Sequence, residues 1–315
     1  MILVLARFGK FRSKMEDHFF HHQPDHLQTQ LFSSFLESFE SDVSSRFKSL
    51  FLNPRPVSEP ISFSWIRRCF ELLPHMNRAF SQLVVGLDHP MSKWEAGTAG
   101  AYLSYSLNVL EHMNLISSSI SHLGQARVCL THALSLADAS PSHALERLKT
   151  LQPQEAFTKD LKVEETKEDG DQEKACSGKD LLVRKALIVM KGIESWVCGV
   201  LISAFTGDVK PYIEMRTGAT KVLSSSLVSL EAGFYEELLE KGSVLKEVRE
   251  INGSVACVVA ALEDGKTSNE VGELKMILEG LEKMLDGLRE EVDALFGEVL
   301  ASRNQMIDCS RPGTH

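Results

Sequence analysis

The chain has 315 residues, of which 43% are hydrophobic and 24% are charged, as in an ordinary globular protein and unlike a disordered chain. The net charge of −9 and the isoelectric point near 5.7 disfavour nucleic-acid binding, because the overall field of the protein repels phosphates. The six cysteines include no C-x-x-C pair, which excludes a zinc ribbon and a dithiol redox motif.

Residues 1–26 are predicted to be a flexible basic and histidine-rich segment. Up to Lys14 the segment is basic and lacks acidic residues, which fits a transit peptide, a membrane-contacting anchor or a plain basic tail. A cluster of potential metal ligands follows, at His18, His21, His22 and His26. Because no scaffold fixes these imidazoles, we interpret them as a polar tract and predict no metal site.

Residues 27–152 are predicted to form an N-terminal helical half. Apolar residues spaced three and four apart predict a helix from Leu27 to Leu50. A second apolar stripe is interrupted by Pro74, which should kink or break its helix because proline removes a backbone donor. The pattern resumes between Trp94 and Ala139, with a break expected near Gly124, and Ser140-Pro141 should start a helix that ends near Leu151.

Residues 153–180 are predicted to be a disordered acidic linker. Between Gln154 and Asp180 there are nine acidic and five basic residues and few apolar ones. So little apolar surface cannot offset the entropy lost on ordering. The helices on either side can still pack into one bundle.

Residues 181–303 are predicted to form a C-terminal helical half. The segment Leu181–Phe205 is the most apolar in the chain, so it is either a membrane-associated helix or a central buried one. We favour the buried helix because four charged residues divide the apolar run. Two further helices are expected, from Pro211 to Lys241 and from Ser243 to Leu262.

The last helix has the clearest pattern, and a flexible tail, residues 304–315, should follow it. Thr267 and Glu270 form a capping box at its start. An alternation of four and three then produces one apolar seam, at Leu274, Leu278, Leu281, Leu285, Leu288, Val292, Leu295 and Val299. This seam is either internal to the bundle or a partner surface, as in a dimeric coiled coil, and additional apolar positions beside it favour the bundle. The opposite face is acidic and is either a solvated face or a site for a basic partner.

These patterns predict an all-α fold, an elongated multi-helix bundle with a long C-terminal helix. No H-E-x-x-H or G-x-S-x-G motif is present, and we predict no catalytic residue, no cofactor site and no metal site. The sequence therefore favours a protein that is not an enzyme.

Several segments together resemble the plant BYPASS family. They include Arg7-Phe8-Gly9, the block from Ser64 to Pro74, and Pro90-Met91-Ser92-Lys93-Trp94. Further segments are 119–127, 190–193 with 196–199, and 207–212. The resemblance covers nearly the whole chain except the acidic linker.

The resemblance implies a plant-specific, non-enzymatic regulator of root and shoot development. BYPASS proteins restrain a root-derived mobile signal that otherwise arrests growth, and a wider group of relatives is associated with the exocyst in secretion and cell-wall deposition. We therefore expect a helical adaptor that binds other proteins, with a peripheral membrane or exocyst-associated factor as the alternative. The expected location is cytoplasmic, with endomembrane association or a plastid as further alternatives. No functional residues are carried over from the family.

Overall fold

The computed structural model describes residues 25–52, 61–150, 178–265 and 269–310. Within these ranges the chain forms ten α-helices and one 3₁₀ helix and contains no β-strand, which confirms the all-α prediction. The helices before the predicted linker are α1 (Asp25–Leu52), α2 (Phe63–Phe70), α3 (Leu72–Gly86), α4 (Ala96–Ser135) and α5 (Pro141–Thr150). Those after it are α6 (Gly178–Thr206), α7 (Lys210–Val222), α8 (Ser225–Lys241), α9 (Lys246–Glu263) and α10 (Asn269–Ser310).

Helix α6 is the centre of the bundle. It packs against α1, α2, α3 and α4 from the N-terminal half and against α7 from its own half, so the two halves share one hydrophobic core. The ring of Phe47 on α1, for example, lies 4.9 Å from the ring of Trp196 on α6, in an edge-to-face arrangement. By length and composition α6 could cross a membrane, but 78% of its most apolar window is buried inside the protein. The structure therefore places it as a core helix.

Helices α4 and α10 form a long antiparallel pair. Near one end, Arg303 of α10 donates to the backbone oxygen of Leu103 on α4. Toward the other end, Arg127 of α4 pairs with Glu282 of α10 at 2.7 Å. Residue numbers therefore increase along one helix as they decrease along the other, and α9 also packs against α10.

Helices α6 and α7 approach each other closely at glycines. A Cβ atom added to Gly192 would lie only 2.8 Å from the backbone oxygen of Gly218 on α7. One added to Gly199 would lie 3.0 Å from the Cβ of Met215. The absence of side chains at these two glycines is therefore what allows the two helices to lie so close together.

The break predicted at Pro74 is present, and the structure shows its cause. Pro74 has no N–H for the carbonyl of Phe70 and its ring would crowd that carbonyl, so α2 ends at Phe70. Pro74 itself lies in the first turn of α3, where a missing N–H leaves no intrahelical bond unmade.

Two other predicted boundaries are wrong. Helix α4 continues through Gly124 without a break, because a single glycine costs only about 1 kcal/mol and burial on both sides of it outweighs that cost. The helix predicted from Pro211 to Lys241 is two helices, since Leu223 and Ser224 have extended backbone. Ser224 precedes α8, and serine favours such a position over a helix interior.

The predicted segment limits also need correction. Gly178 to Asp180, assigned to the linker, belong to α6, and residues 304–310, assigned to the tail, belong to α10. Residues 25–26, assigned to the flexible N-terminus, begin α1. The rest of the predicted linker, most of the N-terminal segment, and Thr267 of the capping box lie outside the described residues.

Candidate functional site

The seam predicted on the last helix lies inside the protein. All eight of its residues are buried, on the side of α10 that meets α4 and α9. They are Leu274, Leu278, Leu281, Leu285, Leu288, Val292, Leu295 and Val299. In this structure the seam is therefore occupied by the chain's own helices.

The outer face of α10, defined here as Glu273, Glu279, Asp286, Glu290 and Asp293, is exposed and acidic. Asp286 bonds to Arg289 one turn further along the same helix, at 2.9 Å. The other four carboxylates have no ion-pair partner among the described residues. Two further acids of the predicted acidic face instead tie α10 to the bundle, Glu282 to Arg127 and Glu291 to Arg67.

A second site joins α4 and α6 and was not predicted from the sequence. Nδ1 of His112 lies 2.7 Å from Oε1 of Glu194, and the thiol of Cys198 donates to the same oxygen at 3.3 Å. Glu194 and Cys198 are four residues apart on α6, so they lie on one face of the helix. Glu194 is 1% exposed, and its other oxygen, Oε2, has no hydrogen-bond partner.

The electrostatics of this site follow from its burial. Burial lowers the pKa of His112, but the charge of Glu194 and its hydrogen bond outweigh that effect, so the pKa is raised overall. Burial and the neighbouring carboxylate together raise the pKa of the Cys198 thiol well above its ordinary value. The raised pKa favours the protonated form of His112, and the raised pKa of Cys198 keeps its thiol neutral.

A third polar group links α7 to α8. The guanidinium of Arg216 donates to both oxygens of Glu231, at 2.7 and 2.6 Å, and the hydroxyl of Tyr212 donates to the same carboxylate. The guanidinium also lies 4.0 Å from the ring centre of Tyr235. Since Glu231 is fully buried and bonded through both oxygens, this arrangement has the features of a structural clamp.

A fourth polar contact fixes the start of α6. Asp180 accepts a hydrogen bond from the backbone N–H of Glu95 at 3.0 Å, and its second oxygen lies 2.8 Å from Nε2 of His89. Asp180 is buried, and the contact ties α6 to the connection between α3 and α4. In the sequence Asp180 is the last residue of the predicted acidic linker, and no local pattern there indicates this contact.

Only one residue of the predicted histidine cluster lies within the described part of the chain. His26 belongs to the first turn of α1, while the other three histidines of the cluster lie outside the described residues. The basic segment up to Lys14 lies outside them as well.

Neither a family model nor a solved structure matches the chain. Two rice proteins, both named UPF0496 protein 4, from Oryza sativa subsp. japonica and subsp. indica, are each 24% identical over 257 residues. Each alignment covers 74% of this chain and 54% of the relative, so the chain spans about half the length of these rice relatives. Protein BPS1, chloroplastic, of Arabidopsis thaliana is 24% identical over 248 residues, which cover 73% of this chain and 70% of that protein.

The comparisons confirm the resemblance to the plant BYPASS family. The matches extend over most of the BYPASS-like chain, so the likeness is not confined to one short motif. None of the relatives' names states a substrate or an activity. The candidate sites of this BYPASS-like protein therefore rest on the geometry of its own side chains.

Proposed function

We propose that this BYPASS-like protein is a non-enzymatic regulator of plant development that acts as a helical adaptor. It binds another protein through the outer face of α10. The observation that carries this proposal is the division of α10 into a fully buried apolar side and an exposed acidic side. The buried side anchors the helix, and the exposed side is left for a partner.

The outer face has the dimensions and charge of a docking surface. The outer face extends from residue 273 to residue 293, about 30 Å along the helix axis, which is about the diameter of a small domain. The four carboxylates without an ion-pair partner create a negative field that favours a partner with lysine or arginine at matching positions. Such a contact weakens with salt, because exposed charges are screened over about 10 Å at 0.1 M ionic strength.

The buried polar groups support a structural rather than a catalytic role for the core. The clamp of Tyr212, Arg216 and Glu231 is bonded internally, and Asp180 joins two segments of backbone. Groups engaged in this way hold helices together and are not presented to a substrate. We accordingly propose no catalytic residue and no organic cofactor.

The developmental role comes from the family resemblance. BYPASS proteins restrain a root-derived mobile signal, and we propose that this chain acts in the same process through its protein contacts. We propose the cytoplasm as its location. Import into plastids is the alternative that the name of the Arabidopsis relative favours, and a fluorescent fusion of the full chain distinguishes the two.

Affinity purification from plant tissue tests the adaptor proposal. One bait is the unaltered chain, and a second carries Glu279→Lys, Glu290→Lys and Asp293→Lys on the outer face. A control bait carries the same charge change at exposed positions on α1 and α8, as Glu37→Lys, Glu40→Lys and Glu236→Lys.

The unaltered and control baits should recover the same specific partner, and the outer-face variant should lose it. Recovery of that partner by all three baits would show that α10 is not the docking surface. Turnover of a defined metabolite by the pure protein, with no partner recovered, would overturn the adaptor proposal as a whole.

A further inference from the structure

The site between α4 and α6 brings together three side chains of the kinds that bind transition metals. The ligand atoms of His112, Glu194 and Cys198 all lie within 4.8 Å of one another. Imidazole, carboxylate and thiolate are the ligands that zinc uses in proteins. The three residues come from two helices, so the group depends on the tertiary fold and not on a local sequence motif.

The unsatisfied oxygen of Glu194 is an independent observation that points to a ligand. Oε2 is buried, has no hydrogen-bond partner and belongs to a residue that is 1% exposed. A buried carboxylate oxygen left without a partner is costly, and native structures rarely contain one without a reason. A cation held by both oxygens of this carboxylate would provide the missing partner.

We propose that His112, Glu194 and Cys198 bind one divalent zinc-type ion that ties α4 to α6. Glu194 and the Cys198 thiolate supply two negative charges, which balance the charge of the ion, and neutral His112 supplies a nitrogen ligand. Binding displaces the thiol proton and the proton shared by His112 and Glu194, and both protons go to solvent. The role is structural, since Glu194 and Cys198 are buried and the side chain of His112 is only 15% exposed.

The environment of the site suits a cation. The carboxylate accepts bonds from two groups at one oxygen only, which leaves the other available. Zinc requires its ligand atoms to lie roughly 2.0–2.3 Å from the ion, so binding would draw the three side chains toward one point.

The test removes competing ligands first. The histidine cluster and the other cysteines could bind metal on their own, so the full chain is prepared with His18, His21, His22 and His26 changed to Asn. Cys129, Cys176, Cys257 and Cys309 are changed to Ser in the same protein. This background variant keeps the buried thiols Cys69 and Cys198.

Cobalt(II) is the probe, because a cobalt–thiolate bond gives a charge-transfer absorption band that a carboxylate or imidazole ligand does not. The background variant should bind about one cobalt per chain with this band. Adding Cys69→Ser should leave the band unchanged, because Cys69 is buried elsewhere in the core. Adding Cys198→Ser should remove the band and weaken cobalt binding at least about tenfold.

Zinc should also raise the melting temperature of the background variant. It should not raise the melting temperature of the Cys198→Ser protein. If the Cys198→Ser protein does not fold, the variant His112→Gln is used in its place. This variant should fold and bind cobalt more weakly than the background variant. A background variant without the thiolate band, or a band that survives Cys198→Ser, would overturn the proposal. The charge-reversed α10 baits do not alter this site, so either proposal can fail without the other.

Discussion

Replacing Gly192 with alanine should destabilise the protein, although the same replacement is normally favourable inside a helix. Alanine exceeds glycine in helix propensity by about 0.8–1.0 kcal/mol. At Gly192, however, the new Cβ would lie 2.8 Å from the backbone oxygen of Gly218 and from a methyl group of Val222. The backbone oxygen cannot rotate away, so α7 must move, and such overpacking costs about 1–3 kcal/mol.

The destabilisation caused by Gly192→Ala is best measured against a matched glycine-to-alanine control. Gly253 lies in α9, is exposed, and has no atom within 4 Å of the position where its Cβ would be. Gly253→Ala should therefore stabilise the protein by about 0.5–1 kcal/mol. The difference in unfolding free energy between the two variants should be about 1–3 kcal/mol, read from the midpoints of urea unfolding curves with equal slopes. Equal stabilisation by both replacements would refute the close approach of α6 and α7.

Three more predictions test the core and its polar contacts. Leu285→Ala should cost about 2–5 kcal/mol in urea unfolding, because Leu285 is buried in the seam, whereas Met276→Ala on exposed α10 surface should cost under about 0.5 kcal/mol. Glu231→Gln should cost about 1.5–3 kcal/mol, because it removes the charge that Arg216 binds through two hydrogen bonds, and an unchanged urea midpoint would exclude the clamp. Burial raises the pKa of Tyr102 to about 12, so its stabilising contribution is complete below about pH 10 and is lost as pH rises through its folded pKa. Above about pH 10 the unfolding free energy should therefore decline less steeply with pH in Tyr102→Phe than in the unaltered protein. The same decline in both proteins would contradict the raised pKa of Tyr102.

The parts of the fold that follow from local pattern could be predicted from sequence. The seam from Leu274 to Val299 depends only on spacing along one helix, and the break at Pro74 depends on one missing donor. Gly124 and Ser224 show the limit of this reasoning. Whether a glycine interrupts a helix depends on the burial around it. The residues around the end of α7 are compatible with a continuous helix, so the sequence does not indicate that end.

The buried polar sites could not be predicted, because their members are far apart in sequence. His112 and Glu194 are separated by 82 positions, and Asp180 and Glu95 by 85. The only sequence signal at the site of His112 and Glu194 is the position of Glu194 within the most apolar segment, with Cys198 one turn later. That position does not identify the partner of Glu194, which only the packing of α4 on α6 supplies.

The proposal that the outer face of α10 binds a basic partner is tested most directly by titrating the purified partner against the protein at increasing salt. We expect the dissociation constant to rise with salt for the unaltered chain and for the Glu37, Glu40 and Glu236 control. The variant with lysine at 279, 290 and 293 should bind at least about tenfold more weakly at low salt, a loss of about 1.4 kcal/mol. An affinity that is the same for all three proteins and independent of salt would contradict the proposal.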